Sequence, residues 1–220
     1  MLTNQATALQ AFSLLEEAEC EDWVLQVLLL KRYWRRRHAE VPFFTLGMAA
    51  YLDCVAGPDG AGYWDASRRQ HSNQLLARHF SPLLLQVATL LQRIFQQPVL
   101  QAEDAAVPGF HIYLPHPVFA LPVASIHKDL QYRDVFHGRA APAEDVFSFT
   151  LPLSTPEGSG LNLWTEEGGS PAFFPYRSGQ LVLHSGLTTH QAVLRCCGDL
   201  ERISLQGHAI RLDGQMLVYW

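Results

Sequence analysis

The stretch "EDAAVPGFHIYLP", residues 103–115, is where the chain changes its hydrophobic period. Before it, apolar residues recur every three to four positions. After it, they recur every second position. That switch assigns an α+β fold, with helices in an N-terminal layer at 1–105 and strands at 106–220. We expect one domain over 1–220, a length that can bury its own core.

Upstream of the switch, "EDWVLQVLLLKRYWRRRH" (21–38) reads as a helix, acidic at its start and basic at its end as the helix dipole favours. "FFTLGMAAYLD" (43–53) reads as a second helix, followed by the turn-rich "AGPDGAG" (56–62). "DASRRQHSNQLLARHF" (65–80) and "SPLLLQVATLLQRIFQQ" (81–97) each open on an N-cap residue, with Pro next in the second. The basic run "KRYWRRRH" (31–38) reads as a solvated helix end.

Downstream, "FHIYLP", "VASIH", "VFSFTLPLS", "GLNLW", "AFFPY", "GQLVLHS", "HQAVLRC" and "RISLQGHAI" are short segments rich in β-branched and aromatic residues, punctuated by Gly, Pro, Asp and Ser. Strands at this spacing suggest a closed or nearly closed antiparallel core, a barrel or cupin-like jelly roll.

Bulk properties exclude several classes. A net charge of −5 gives no electrostatic case for nucleic acid. The longest uncharged apolar run, "WVLQVLLL" (23–30), is too short for a bilayer, and "MLTNQATALQ" has no secretory-signal pattern. Cys20, Cys54, Cys196 and Cys197 have neither zinc-ribbon nor disulfide-framework spacing, so they read as reduced thiols of a cytoplasmic protein. Oligomeric state is not legible.

"SIHKDLQY" (125–132) carries the chemistry. In an extended segment, residues two apart share a side, so His127 and Asp129 point together and Lys128 points away. Two His and one carboxylate form the facial triad of non-haem Fe(II) sites. The third leg falls to His190 in "LTTHQAV", with His184 in "QLVLHSG" as its competitor. In "ERISLQGH" (201–208), Arg202 and Ser204 again share a face and would receive a carboxylate, which a guanidinium binds bidentately. A hairpin of 190–196 with 200–210, closed on a three-residue "CGD" loop, would set His190 opposite Gln206 and Leu194 opposite Arg202. A loop of two or four residues would turn Arg202 to the wrong face. Asn162, Trp164, His184 and Lys128 are candidates for contact with substrate.

The ordered set His127-Lys128-Asp129, distal His190 and Arg202-x-Ser204 resembles the Fe(II)- and 2-oxoglutarate-dependent oxygenases, over roughly residues 108–212. Their pattern is H-x-D/E, H and R-x-S on a double-stranded β-helix. "GQLVLHSGLTTHQAV" is similar to the family's strand-turn-strand leading into the distal His, and Tyr113 resembles a tyrosine that helps hold the 2-oxoglutarate carboxylate in some members. The resemblance implies Fe(II) on His127, Asp129 and His190, with 2-oxoglutarate on Arg202, Ser204 and Tyr113 and O2 as oxidant. It further implies that decarboxylation of 2-oxoglutarate is coupled to hydroxylation, desaturation or cyclisation of a small molecule. Related halogenases carry Gly or Ala at the position of Asp129, which argues against halogenation here. The alternative is a non-oxidative, cupin-like metal-binding module, which has no need of a carboxylate receptor at Arg202.

Overall fold

In chain order the strands and helices are β1 (Gln10–Ser13), α1 (Glu17–Leu29), β2 (Arg35–Arg36), β3 (Phe43–Leu46), α2 (Ala50–Asp53), α3 (Ala66–Phe95), β4 (Val99–Gln101) and β5 (Gly109–Tyr113). They continue with α4 (Tyr132–Val135), β6 (Val146–Ser154), β7 (Gly160–Trp164), β8 (Ala172–Pro175), β9 (Gln180–Ser185), β10 (Thr189–Val193), β11 (Arg202–Leu212) and β12 (Gln215–Tyr219). This is a computed structural model, and it describes residues 9–54, 62–166 and 168–220. The turn expected at 56–62 lies outside the described residues except for Gly62.

A nine-stranded sheet runs β1-β9-β6-β11-β5-β3-β2, with β12 on β11 and β4 on β12. A three-stranded sheet runs β10-β7-β8. Every pairing is antiparallel except β4 with β12. Alternation along the strands sorts the two faces of the large sheet. Ile203 and Leu205 of β11, Phe110 and Ile112 of β5, and Leu181 and Leu183 of β9 join the main core. Arg202, Gln206 and His208, with His111, Tyr113 and His184, line a cavity on the opposite face.

Helices α1 and α3 cover the apolar face. Asp65 caps α3 by accepting the Arg68 N–H at 3.1 Å. The two expected helices over 65–97 are one, because Ser81 and Pro82 sit inside α3. Pro82 costs the ladder a hydrogen bond, about 3 kcal/mol in a helix interior. Leu76, Phe80, Leu83, Val87 and Leu91 form a buried stripe that runs through this point. At about 1.5–3 kcal/mol per buried side chain, the stripe outweighs the proline.

Three further expectations are corrected. Residues 43–53 are not one helix: Phe43–Leu46 form β3, paired to β5 from Phe43↔Tyr113 to Leu46↔Phe110. Gly47 then turns the chain at φ 111°, leaving only the short α2. Aromatic and β-branched residues beside an open strand edge favour the ladder over a helix that a glycine would break. The run 31–38 is not a solvated helix end. The helix stops at Leu29, and Arg37 donates to both carboxylate oxygens of Asp53 at 2.7 Å, with Arg35 3.0 Å from the same group. The hairpin of 190–196 with 200–210 does not form. β10 pairs with β7, and β11 pairs with β5 and β6. Two long-range ladders outweigh the local turn signal at Gly198, so His190 and Gln206 lie on different sheets. Of the eight expected strands, "VASIH" is reduced to a bridge between His127 and His190, and β1, β2, β4 and β12 join unannounced, the first three inside the region read as helical.

Candidate metal centre and its cavity

The two sheets enclose a cavity of about 460 Å³, walled on one side by β5, β6, β9 and β11 and on the other by β7 and β10. His127 and Asp129 reach it from the segment before α4, and His190 from β10. His127 and His190 exchange backbone hydrogen bonds at 3.0 and 2.9 Å, and the Asp129 N–H donates to the Gly186 carbonyl at 2.7 Å. Gly186 leaves little room there, since a Cβ would sit 3.0 Å from Ser148 Oγ and 3.3 Å from Asp129 Cβ.

One ligand atom from each of His127, Asp129 and His190 lies within 4.8 Å of the others. The Nε2 atoms of His127 and His190 are 3.6 and 3.4 Å from the carboxylate oxygens of Asp129. Each Nδ1 faces a backbone carbonyl, Ser125 at 3.1 Å and Thr188 at 2.8 Å. Donation from Nδ1–H to those carbonyls leaves both Nε2 lone pairs directed at the centre. Burial opposes ionisation of Asp129, but the neighbouring His208 and His190 and the Ser148 hydroxyl more than offset it, holding the carboxyl well below the usual range. Burial lowers His190 below its ordinary value. Two imidazoles and one carboxylate suit a divalent cation.

His184, whose direction the sequence left open, points into the cavity with its ring 4.7 Å from that of His190. It is outside the three-residue ligand group, and burial, reinforced by His190, lowers it to about 4.

Arg202 also lines the cavity, 2% exposed. Its Nε and Nη2, and Ser204 Oγ, find no hydrogen-bond partner among the described residues. The rings of Tyr113 and Tyr176 flank the guanidinium, each with its centroid 5.6 Å away. Burial pushes the Tyr113 phenol up to about 12, so its O–H remains a donor. A buried cation with orphaned donors is costly on its own and is a receptor for an anion.

Lys128 is exposed and does not line the cavity. Asn162 and Trp164 do not line it either: Leu161 and Leu163 take the buried face of β7, and Asn162 bonds Gln191 at 3.3 Å. Sequence reasoning missed Tyr176, which has no motif around it. It also missed His111, bonded to Tyr51 at 2.8 Å, and the trio Gln131, Ser148 and His208 around Asp129. The two-residue period that marked Arg202 and Ser204 leads on to Gln206 and His208, and from Asp129 to Gln131.

Neither a protein-family model nor a curated protein sequence matches the chain. Solved structures do. An N-substituted L-amino acid dioxygenase from Burkholderia ambifaria AMMD, in complex with alpha-KG (2-oxoglutarate), superposes at TM-score 0.57 and 11% identity, over 96% of this chain and 86% of that one. AviO1 from Streptomyces viridochromogenes Tue57 matches at TM-score 0.51 and 13% identity, over 94% and 91%. EvdO2 from Micromonospora carbonacea var. aurantiaca matches at 0.50 and 13%, over 93% and 87%. Identities this low carry the fold and nothing finer, and the fold the chain has is shared with a dioxygenase crystallised in complex with alpha-KG.

Proposed function

We propose that the chain is an Fe(II)- and 2-oxoglutarate-dependent oxygenase acting on a small molecule. The observation that carries this reading is Arg202: a buried guanidinium with unpaired donors, in the same cavity as two imidazoles and a carboxylate poised as ligands. A barrel that only bound a metal would gain nothing from that cost. His127, Asp129 and His190 would hold the iron, and Arg202, Ser204 and Tyr113 the far carboxylate of 2-oxoglutarate. When bound, iron with 2-oxoglutarate and O2 supplies the oxidising chemistry, in which loss of CO2 from the 2-oxo acid is coupled to hydroxylation, desaturation or cyclisation.

The chain's own residues do the positioning. Phe43, stacked on Tyr113 at 4.5 Å, backs the carboxylate end with apolar surface that excludes water and strengthens the Arg202 ion pair. His184 and the Tyr51–His111 pair remain as polar groups on the wall for a substrate to meet. We read the two sheets as the walls of a double-stranded β-helix, and the strands that 1–105 adds to the large sheet support one domain over 1–220. The four free cysteines support a cytoplasmic site of action, and no helix among the described residues is long and apolar enough to cross a membrane.

Anaerobic addition of Fe(II) and then 2-oxoglutarate to the purified chain is expected to raise a weak visible absorption band, lost in Asp129→Ala. A folded wild-type chain that gives no band and releases no succinate in air would overturn the proposal.

A further inference from the structure

Three side chains outside the His127, Asp129 and His190 group close a ring around the Asp129 carboxylate. Ser148 Oγ donates to Asp129 Oδ2 and lies 3.0 Å from His208 Nδ1. Gln131 Nε2 lies 2.7 Å from His208 Nε2, 3.4 Å from His208 Nδ1 and 3.4 Å from Asp129 Oδ1, nearer Nε2 but off its lone-pair axis. All four residues are buried. They come from three places in the chain, since Asp129 and Gln131 precede α4, Ser148 is on β6 and His208 on β11.

With a neutral imidazole at His208, proton counting allows two arrangements. In one, the single Ser148 proton goes to Asp129, so His208 must donate from Nδ1 to Ser148 and accept at Nε2 from the Gln131 amide. The second amide hydrogen then faces Asp129 Oδ1. In the other, with the amide turned over, His208 donates from Nε2 to Gln131 and takes the Ser148 proton at Nδ1. Asp129 is then left without either donor. An ionised carboxylate selects the first arrangement, which gives one donor to each of its oxygens.

We infer that Gln131, Ser148 and His208 are positioning residues that lock the Asp129 carboxylate in the orientation in which it meets the metal, His208 acting through its Nδ1–H tautomer. This rests on the metal reading above and adds residues that the H-x-D pattern does not include. The ring also ties the ligand to the large sheet, so the orientation of Asp129 is set by β6 and β11 as well as by its own segment. Groups of this kind govern metal affinity by about 10- to 100-fold.

The test is Co(II) binding by calorimetry on the full chain, without 2-oxoglutarate, for wild type, Ser148→Ala, His208→Phe and His208→Asn. Asn puts an N–H donor near the Nδ1 position, and Phe keeps the ring packing on Tyr219. Ser148→Ala and His208→Phe are each expected to bind Co(II) about 10- to 100-fold more weakly, with His208→Asn recovering most of the loss. If Phe retains affinity and Asn loses it, His208 is packing only and the inference is wrong. Should Phe fail to fold, Ser148→Ala decides alone, and unchanged affinity there overturns the ring. Equal affinity in every variant overturns the inference while leaving the metal reading intact. No Co(II) uptake by the wild type overturns both.

Discussion

Arg202 is held at a cost. Each buried donor without a partner takes about 1–3 kcal/mol from stability, and Arg202 contributes two such nitrogens. Removing the guanidinium while keeping its apolar volume should therefore not destabilise the ligand-free protein. Arg202→Met is expected to match or exceed the wild-type Tm in the absence of 2-oxoglutarate. The same variant should lose the thermal shift that 2-oxoglutarate gives the metal-loaded wild type, worth about 2.7 kcal/mol at a hundred times Kd. Thermal melts with and without the ligand check both halves. A lower ligand-free Tm with the shift retained would make Arg202 a structural cation. Its partner in this argument, Asp129, is the opposite case, since the groups around it more than compensate its burial.

Among elements, the turn between β9 and β10 is constrained where it passes the candidate metal centre. Val146 Cγ1 would lie 3.2 Å from a Cβ on Gly186, closing the third side of the space that Ser148 and Asp129 bound. Gly186→Ala should cost about 1–3 kcal/mol of overpacking, a fall of about 2–4 °C in Tm per kcal/mol for a chain of this size. In a Ser148→Ala background the nearest clashing atom is gone, and the penalty should shrink. A double-mutant cycle on chemical unfolding measures the coupling, and strict additivity would refute the contact. Elements were also where sequence reading was weakest. Period two located β5, β6 and β7 to β11, because alternation is local. Pairing is not, and the turn residues around Gly198 could not report that β10 and β11 belong to different sheets. His190 and Arg202 nevertheless face one cavity, because each sheet turns one face toward it. The placement was legible and the route to it was not. Gln131, Ser148 and His208 lay hidden because a ring assembled from three separate segments leaves no spacing to read.

Across the whole molecule, stability is unevenly shared. The large sheet is covered by α1 and α3 over an extensive core, whereas the small sheet rests on Leu161, Leu163, Tyr176 and Val182. Three short strands on so small a cluster form the less stable unit. A cation held by His127, Asp129 and His190 would join β10 to residues whose supports lie on β6 and β11. Mn(II) is therefore expected to slow amide hydrogen exchange in β7, β8 and β10 by about tenfold or more, with little change in β5 and β11. Uniform slowing, or none outside residues 127–129, would show that the centre does not bridge the sheets.

The paired backbones of His127 and His190 bear on how quickly a cation could enter. Their mutual hydrogen bonds set the separation of two ligands by main-chain geometry, before any ion arrives, as the Gly186 carbonyl does for Asp129. A receptor shaped in advance has no folding step to wait for. Loading should be a single bimolecular phase whose rate rises in proportion to cation concentration, and selectivity among divalent ions should be decided on release rather than on capture.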